Sequence, residues 1–415
     1  MSTKKLTALL LGALIILAAA AGCAQTGDAA QSPSASQSGS AAQTGSAAQS
    51  PSAQQSGSAT QAGSAAQADS ATQTGSAAQS PSAQQADSAT QYDMNATYIF
   101  TDSAGREVEL PRNIERVAPS GSTAQIVLFT LCPDKLVGLA TPFSEDQFGY
   151  IDEKYSLLPV FGNLYADTLN LESIMVAKPQ VIIDIGEIKP NIEDDMKSIE
   201  ERTGIPAVFI HMELDSMHEA YDALGIVTGE TEQARNIIDY IDNTLAETKR
   251  ITDAIPESER KSVYYGSDDG LTAMVRGTVH TDVIDITGGL NVADVGESLR
   301  GGASIVSMEQ LILWNPDVII FAPESIYDSV AGVAEWQGLN AVKTGSYYKI
   351  PFGIYNWMGR PPSVNRIIGI KWLANLLYPD YFKYDIMSEA KEFYKLFYHC
   401  VLTDAQAELL LAGSR

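Results

Sequence analysis

Two glutamates occupy matched settings 137 positions apart. Glu172 stands two residues after Asn170 in L-N-L-E-S-I-M-V-A-K-P-Q-V-I-I, and Glu309 two after Ser307 in S-M-E-Q-L-I-L-W-N-P-D-V-I-I. Asn and Ser are good helix N-caps. Each carboxylate therefore falls in a first helical turn, where it complements the helix dipole by ~0.3–1 kcal/mol. A second group of residues has the chemistry to hold a ligand. Ser122 and Thr123 supply hydroxyls beside Gly121, and Tyr165 offers a ring to a planar or catecholate molecule. Tyr265 ends a strand-like run, and Arg276 follows it. Trp357 and Arg360 share the loop G-I-Y-N-W-M-G-R-P-P. Loop tryptophans rarely leave their apolar area in water, and arginine binds carboxylate, hydroxamate or catecholate oxygens. Purely structural roles compete at each position: a helix cap at Ser122 and Thr123, core packing at Tyr165 and Trp357, a surface ion pair at Arg360.

Other chemistries are poorly served. The histidines are His211, His218, His280 and His399, scattered along the chain, whereas zinc or manganese sites need several converging ligands. Heme needs an axial His, Tyr or Met, and His211, Met212 and Tyr265 leave that open. No G-x-S-x-G, H-E-x-x-H or G-x-x-x-x-G-K-[ST] occurs, so the sequence does not read as an enzyme. Three cysteines in 415 residues exclude a disulfide-stapled scaffold, and Cys132 and Cys400 lie in apolar runs that read as buried. A formal net charge of −24 opposes nucleic-acid binding, which needs a basic face.

The elements that must position these residues begin well inside the chain. Residues 1–22 carry Lys4 and Lys5, then an apolar stretch too short for a comfortable membrane span, and read as a secretory signal. A-A-G-C at 20–23 resembles the lipobox of bacterial lipoproteins, which implies that Cys23 is acylated and heads the mature chain. Residues 24–91 are almost wholly Ala, Ser, Gln, Gly, Thr and Pro, and Q-T-G-S-A-A-Q-S-P-S-A-Q-Q occurs at 43–55 and again at 73–85. This composition cannot offset the entropy of ordering, so 23–91 reads as a lipidated, disordered tether. The folded part is 92–415.

There, strand-like runs at 114–118, 136–139, 181–185 and 207–210 alternate with helical segments such as 124–131. A second series appears at 262–265, 317–321 and 348–350. Such alternation implies parallel α/β sheets. Between the series, Ala234, Ile237, Ile238, Ile241 and Leu245 fall at helical spacing over 232–252, with no Gly or Pro to interrupt them. The expected plan is an N-terminal lobe at 92–228, a connecting helix at 229–254 and a C-terminal lobe at 255–415. The repeated Glu, Pro and V-I-I pattern, one copy on each side of the helix, suggests two similar lobes.

Together with Y-I-F-T-D-S-A-G-R-E-V-E-L-P at 98–111 and R-V-A-P-S at 116–120, these motifs resemble the substrate-binding proteins of iron–siderophore, heme and cobalamin ABC importers. The resemblance covers nearly all of 97–400. It implies two α/β lobes with parallel sheets bridged by one long helix, a ligand cleft between them, and little movement on binding. It implies that Glu172 and Glu309 dock to basic pockets on the two permease subunits, and that Ser122, Thr123, Tyr165, Tyr265, Arg276, Trp357 and Arg360 face the ligand. The implied setting is a monomer anchored by lipid to the extracytoplasmic face of a cell membrane, passing a metal chelate to a permease dimer and its ATPase without a cofactor of its own. A ferric siderophore is the first ligand expected. Heme, cobamide and molybdate-type oxyanions use the same scaffold, and a tethered sensor or adhesion module is the reading without a transporter.

Overall fold

The computed structural model describes residues 96–296, 299 and 301–414. Cys23, the signal at 1–22 and the tether at 23–91 lie outside the described residues. The first described element is an antiparallel hairpin, β1 (Thr97–Thr101) with β2 (Glu107–Pro111). Buried Asp102 staples its turn to the body. That carboxylate accepts from the backbone N–H groups of Ala104, Arg106 and Phe209, and pairs with Arg106 at 3.2 Å.

Three parallel strands build the first sheet, β3 (Val117–Pro119), β4 (Val181–Gly186) and β5 (Ala207–His211), in the order β3-β4-β5. Around it lie α1 (Ser122–Leu131), α2 (Leu171–Ala177), α3 (Ile192–Thr203) and α4 (Met217–Thr228). The strand expected at 136–139 is reduced to two single bridges, Val117 to Leu136 and Leu139 to Val160. Its two ends pair with different neighbours, so no continuous ladder forms.

The long helix α5 (Thr231–Thr252) follows as expected, burying Ala234, Ile237, Ile238 and Ile241 on one face. Its 22 residues span ~33 Å at 1.5 Å each. Beyond it come β6 (Ser262–Asp268), β7 (Thr272–Met274), α6 (Asp282–Ile286), β8 (Leu290–Asn291), β9 (Ala303–Ile305), α7 (Met308–Trp314) and β10 (Val318–Ser325). The last elements are α8 (Asn340–Thr344), β11 (Tyr347–Lys349), α9 (Asn365–Leu377), α10 (Ile386–Phe397) and α11 (Asp404–Leu410). The second sheet runs β11-β10-β6-β7-β9, with β8 also on β6. Strands β6, β8, β10 and β11 are parallel, but β7 is antiparallel to both β6 and β9. The cause is local: Asp268 and Gly270 take positive φ (55° and 85°) and fold β7 straight back on β6.

The internal echo is structural. Helices α2 and α7 both have seven residues, and the Asn170 and Ser307 side chains cap them by accepting from the N–H of Ser173 and Gln310. Both end on a left-handed residue, Lys178 (φ 50°) and Asn315 (φ 42°), one position before a proline, and lead into β4 and β10.

The two lobes are not loosely hinged. One apolar cluster includes Val117 and Ile183 of the first sheet, Phe129 of α1, Ile241 of α5, and Ile320, Trp357 and Phe393 of the second lobe. Polar cross-links reinforce it. Gln125 of α1 donates to the Tyr355 hydroxyl at 3.2 Å, Gln233 of α5 to the Leu396 carbonyl at 2.9 Å, and Gln406 of α11 to the Gly149 carbonyl at 2.6 Å. Opening the lobes would strip these groups of partners.

Packing between α9 and the 351–362 loop is equally tight. A Cβ on Gly369 would sit 2.0 Å from the Trp357 carbonyl oxygen. Gly-to-Ala inside a helix ordinarily stabilises by about 1 kcal/mol. Here Gly369→Ala is expected to destabilise by about 1–3 kcal/mol instead, because backbone must move. Thermal unfolding reads the sign directly.

Candidate functional site

The carboxyl ends of β3, β4 and β5 converge on one face, where loops of parallel α/β sheets hold ligands. The loop leaving β3 contributes Gly121, Ser122 and Thr123, the loop after β4 contributes Gly186, Glu187 and Lys189, and the loop after β5 contributes Met212 and Glu213. Opposite stand Gly277, Thr278 and His280 beyond β7, Gly301 and Gly302 before β9, and Pro362 and Arg366 at the start of α9. They enclose a cleft of about 640 Å³ between the lobes. That is the size range of sites for organic ligands. A second cavity of about 830 Å³, lined by Cys132, His399 and Cys400 among others, lies away from these strand ends. Both its cysteines are free thiols.

One buried carboxylate organises the first-lobe wall. Asp184 sits inside the otherwise apolar β4 and is 3% exposed. The Ser120 hydroxyl donates to its Oδ1, and the Tyr165 hydroxyl donates to its Oδ2 at 2.7 Å. Burial and the Asp184 charge together push the Tyr165 phenol far above its ordinary range, so it stays a donor. Lys189 Nζ lies 3.1 Å from the centre of the Tyr165 ring. Burial lowers the Lys189 pKa, with Asp184 and Glu187 pulling the other way. Asn163 fixes the entry to α1, accepting from the Ser122 N–H at 2.7 Å and donating to the Ser122 hydroxyl at 3.1 Å.

Across the cleft, Arg366 is 1% exposed. It donates to Asp282 Oδ2 at 2.7 Å and, through Nε, to the Ser363 carbonyl at 3.3 Å. Burial lowers its pKa and raises that of Asp282, while the opposite charge of each resists the shift of the other. Glu213 and Glu187 of the first-lobe wall act on both, so the two lobes are coupled electrostatically across the cleft.

Of the seven expected ligand contacts, Ser122, Thr123 and Tyr165 line this cleft and four do not. Trp357 is 1% exposed and packed in the shared core, because its large apolar area is better buried than presented. Tyr265 is fully buried, and burial pushes its phenol up to about 12 against the pull of Arg360. Arg276 pairs on the surface with Asp294 at 3.6 Å, and exposed Arg360 has Nη1 3.6 Å from Met274 Sδ. The lining residues that sequence reasoning did not place in the cleft are Asp184, Lys189, Glu213 and Arg366. Two carried a signal: an Asp within V-I-I-D-I-G, and an Arg within the apolar run R-I-I-G-I, each costly to bury without purpose. Among the described residues, no group of three or more His, Cys, Asp or Glu is placed to hold a metal ion.

Tyr165→Phe removes one of two hydroxyls on Asp184 yet keeps the ring under Lys189. A hydrogen bond to a charged group contributes about 1.5–3 kcal/mol. That bond lies within the protein whether or not a ligand is bound, so stability is expected to fall by about that amount, and further in Tyr165→Leu, as thermal unfolding would read.

Two α/β lobes on a stiff helix, sharing one core and facing each other across a polar cleft, define a binding protein of the clamshell type. The chain belongs to the periplasmic binding protein family, whose model matches residues 122–353. An ABC transporter solute binding protein from Sulfurospirillum deleyianum is 29% identical, with a TM-score of 0.70 over 76% of this chain and 99% of its own. A periplasmic solute binding protein from Veillonella parvula is 28% identical, with a TM-score of 0.65 over 77% of this chain and 98% of its own. The molybdate periplasmic binding protein MolA of Haemophilus influenzae shares the fold at 19% identity, with a TM-score of 0.57 over 74% of this chain and 99% of its own. No curated protein matches the sequence.

Proposed function

We propose that this protein captures a ferric chelate outside the cytoplasmic membrane and delivers it to an ABC importer. The observation that carries the ligand class is the charge of the cleft. Its lining holds three carboxylates, Asp184, Glu187 and Glu213, against two cations, Lys189 and Arg366. A bare oxyanion would meet that excess repelled, and would leave most of 640 Å³ empty. A tris-catecholate complex and heme, with its propionates, meet the same repulsion. A neutral or cationic ferric hydroxamate suits both the volume and the sign, with Ser122, Thr123 and Lys189 as donors to its oxygens. The proposed lobes are 92–228 and 255–415 about the helix at 229–254. The Sulfurospirillum relative is named as an ABC transporter protein, which supports an importer as the destination, with Glu172 and Glu309 as its docking points. Both side chains are exposed.

Calorimetric titration of the full chain against a cationic ferric trihydroxamate, a ferric tris-catecholate, heme, cobinamide and molybdate tests the ligand class. The hydroxamate should bind with Kd of about 1 μM or tighter, and the anions at least tenfold more weakly. Preference for molybdate or heme would refute it, and silence from all five would favour a sensor or adhesion role. Tryptophan fluorescence is a poor reporter, since no tryptophan among the described residues lines the cleft. We also propose that Cys23 carries the lipid anchor: Cys23→Ala should abolish palmitate labelling and release the chain from membranes. Retention of label would disprove it.

A further inference from the structure

Helices α2 and α7 repeat more than a glutamate. Among the exposed large apolar side chains are Met175 (39%) and Val176 (81%) on α2, and Ile312 (45%) and Leu313 (78%) on α7. These are the same two positions at the same offset of 137 residues, and their exposures agree pairwise. They stand three and four residues after Glu172 and Glu309, so each trio shares one helix face. The opposite face is what each helix buries, through Leu171 and Ile174 on α2 and Leu311 on α7. A single exposed leucine means little. An exposed apolar pair beside an exposed carboxylate, repeated in register on the second lobe and held by the same caps, does not arise from packing, which would bury it.

We infer that each lobe docks through a composite face, Glu172 with Met175 and Val176 on one and Glu309 with Ile312 and Leu313 on the other. The partner is a membrane protein with two equivalent sockets, each a basic side chain beside an apolar hollow. The carboxylate selects the basic group by charge and sets orientation. The apolar pair excludes water around that ion pair and supplies area that a rim salt bridge lacks. This inference rests on the docking role proposed above and adds the apolar pairs.

Photocrosslinking of the full chain in its native membrane tests it. The photoreactive p-benzoylphenylalanine replaces Val176 in one variant and Leu313 in another, and crosslinked peptides are identified by mass spectrometry. The expected result is one multispanning membrane subunit type, captured through the same peptide segment from both positions. With the probe at Leu313, Met175→Ser with Val176→Ser in the other lobe should lower the yield at least tenfold, as should Glu172→Gln. Unchanged melting of each variant confirms that it folds. If the serine variant crosslinks as well as the parent while Glu172→Gln loses the signal, the apolar pairs are not part of docking, and this inference fails while the glutamate role stands. If the probes reach unrelated segments, or a second copy of this chain, the equivalent-socket partner is wrong. If no membrane subunit is captured and Glu172→Gln changes nothing, the docking role fails with it.

Discussion

Changing Glu172 and Glu309 together to Ala should leave ligand affinity within about twofold of the parent and abolish uptake by cells. Both carboxylates are solvent-exposed on short helices and neither lines the cleft, and the Asn170 and Ser307 side chains cap those helices by accepting from the N–H of Ser173 and Gln310. Loss of the dipole contribution from an exposed first-turn carboxylate is too small to unfold the chain. Backbone and side-chain hydrogen bonds at the N-terminus of α7 already hold the Glu309 carboxyl below its ordinary pKa, so it is charged throughout the neutral range. The measurements are calorimetry on purified variants and accumulation of radiolabelled ferric chelate in cells. Normal uptake by the double variant would remove the docking assignment, whereas lost affinity would move the glutamates' role to the cleft.

Arg366→Ala should produce the largest combined loss of stability and binding. The guanidinium is buried, and its removal leaves Asp282, whose side chain is 31% exposed, facing Glu213 and Glu187 without its partner. Breaking a buried pair costs 3–5 kcal/mol, and the partial exposure of Asp282 places this case near ~3 kcal/mol. At about 2 °C per kcal/mol for a body of this size, the melting temperature falls by about 6 °C. Affinity should fall as well, because the Nε hydrogen bond to the Ser363 carbonyl, which holds the cleft wall next to Pro362, is gone. Arg366→Met combined with Asp282→Asn separates the effects: most of the stability returns, since no unpaired charge remains, and the affinity does not. Recovery of both would make Arg366 a purely structural residue.

Much of the architecture was legible in the residues. The helical spacing of Ala234, Ile237, Ile238 and Ile241 located the long helix to within one residue of α5 (Thr231–Thr252). The V-I-I runs located β4 and β10, and the polar caps before Glu172 and Glu309 placed both carboxylates in first helical turns. These are local signals: periodicity, capping chemistry and duplication are written in neighbouring positions. The cleft wall was legible only on one side. Ser122, Thr123 and Tyr165 lie in loops next to first-lobe strands, and they line it. On the other side the loop with Trp357 and Arg360 looked more like a binding loop than α9 did, yet Trp357 went to the core and buried Arg366 of α9 reached the cleft.

The sequence by itself determined the element order, the doubling of the lobes and the acidic character of the protein, because each depends on residue type and short-range spacing. Tertiary structure alone decided which polar side chains line the cleft and which are spent on structure. That choice depends on how α9, the 351–362 loop and β6 compete for the same interior space, and on Asp184 meeting Ser120 and Tyr165, which lie 64 and 19 positions away. Contacts between residues so far apart are set by the packing of whole elements, and no local pattern encodes them.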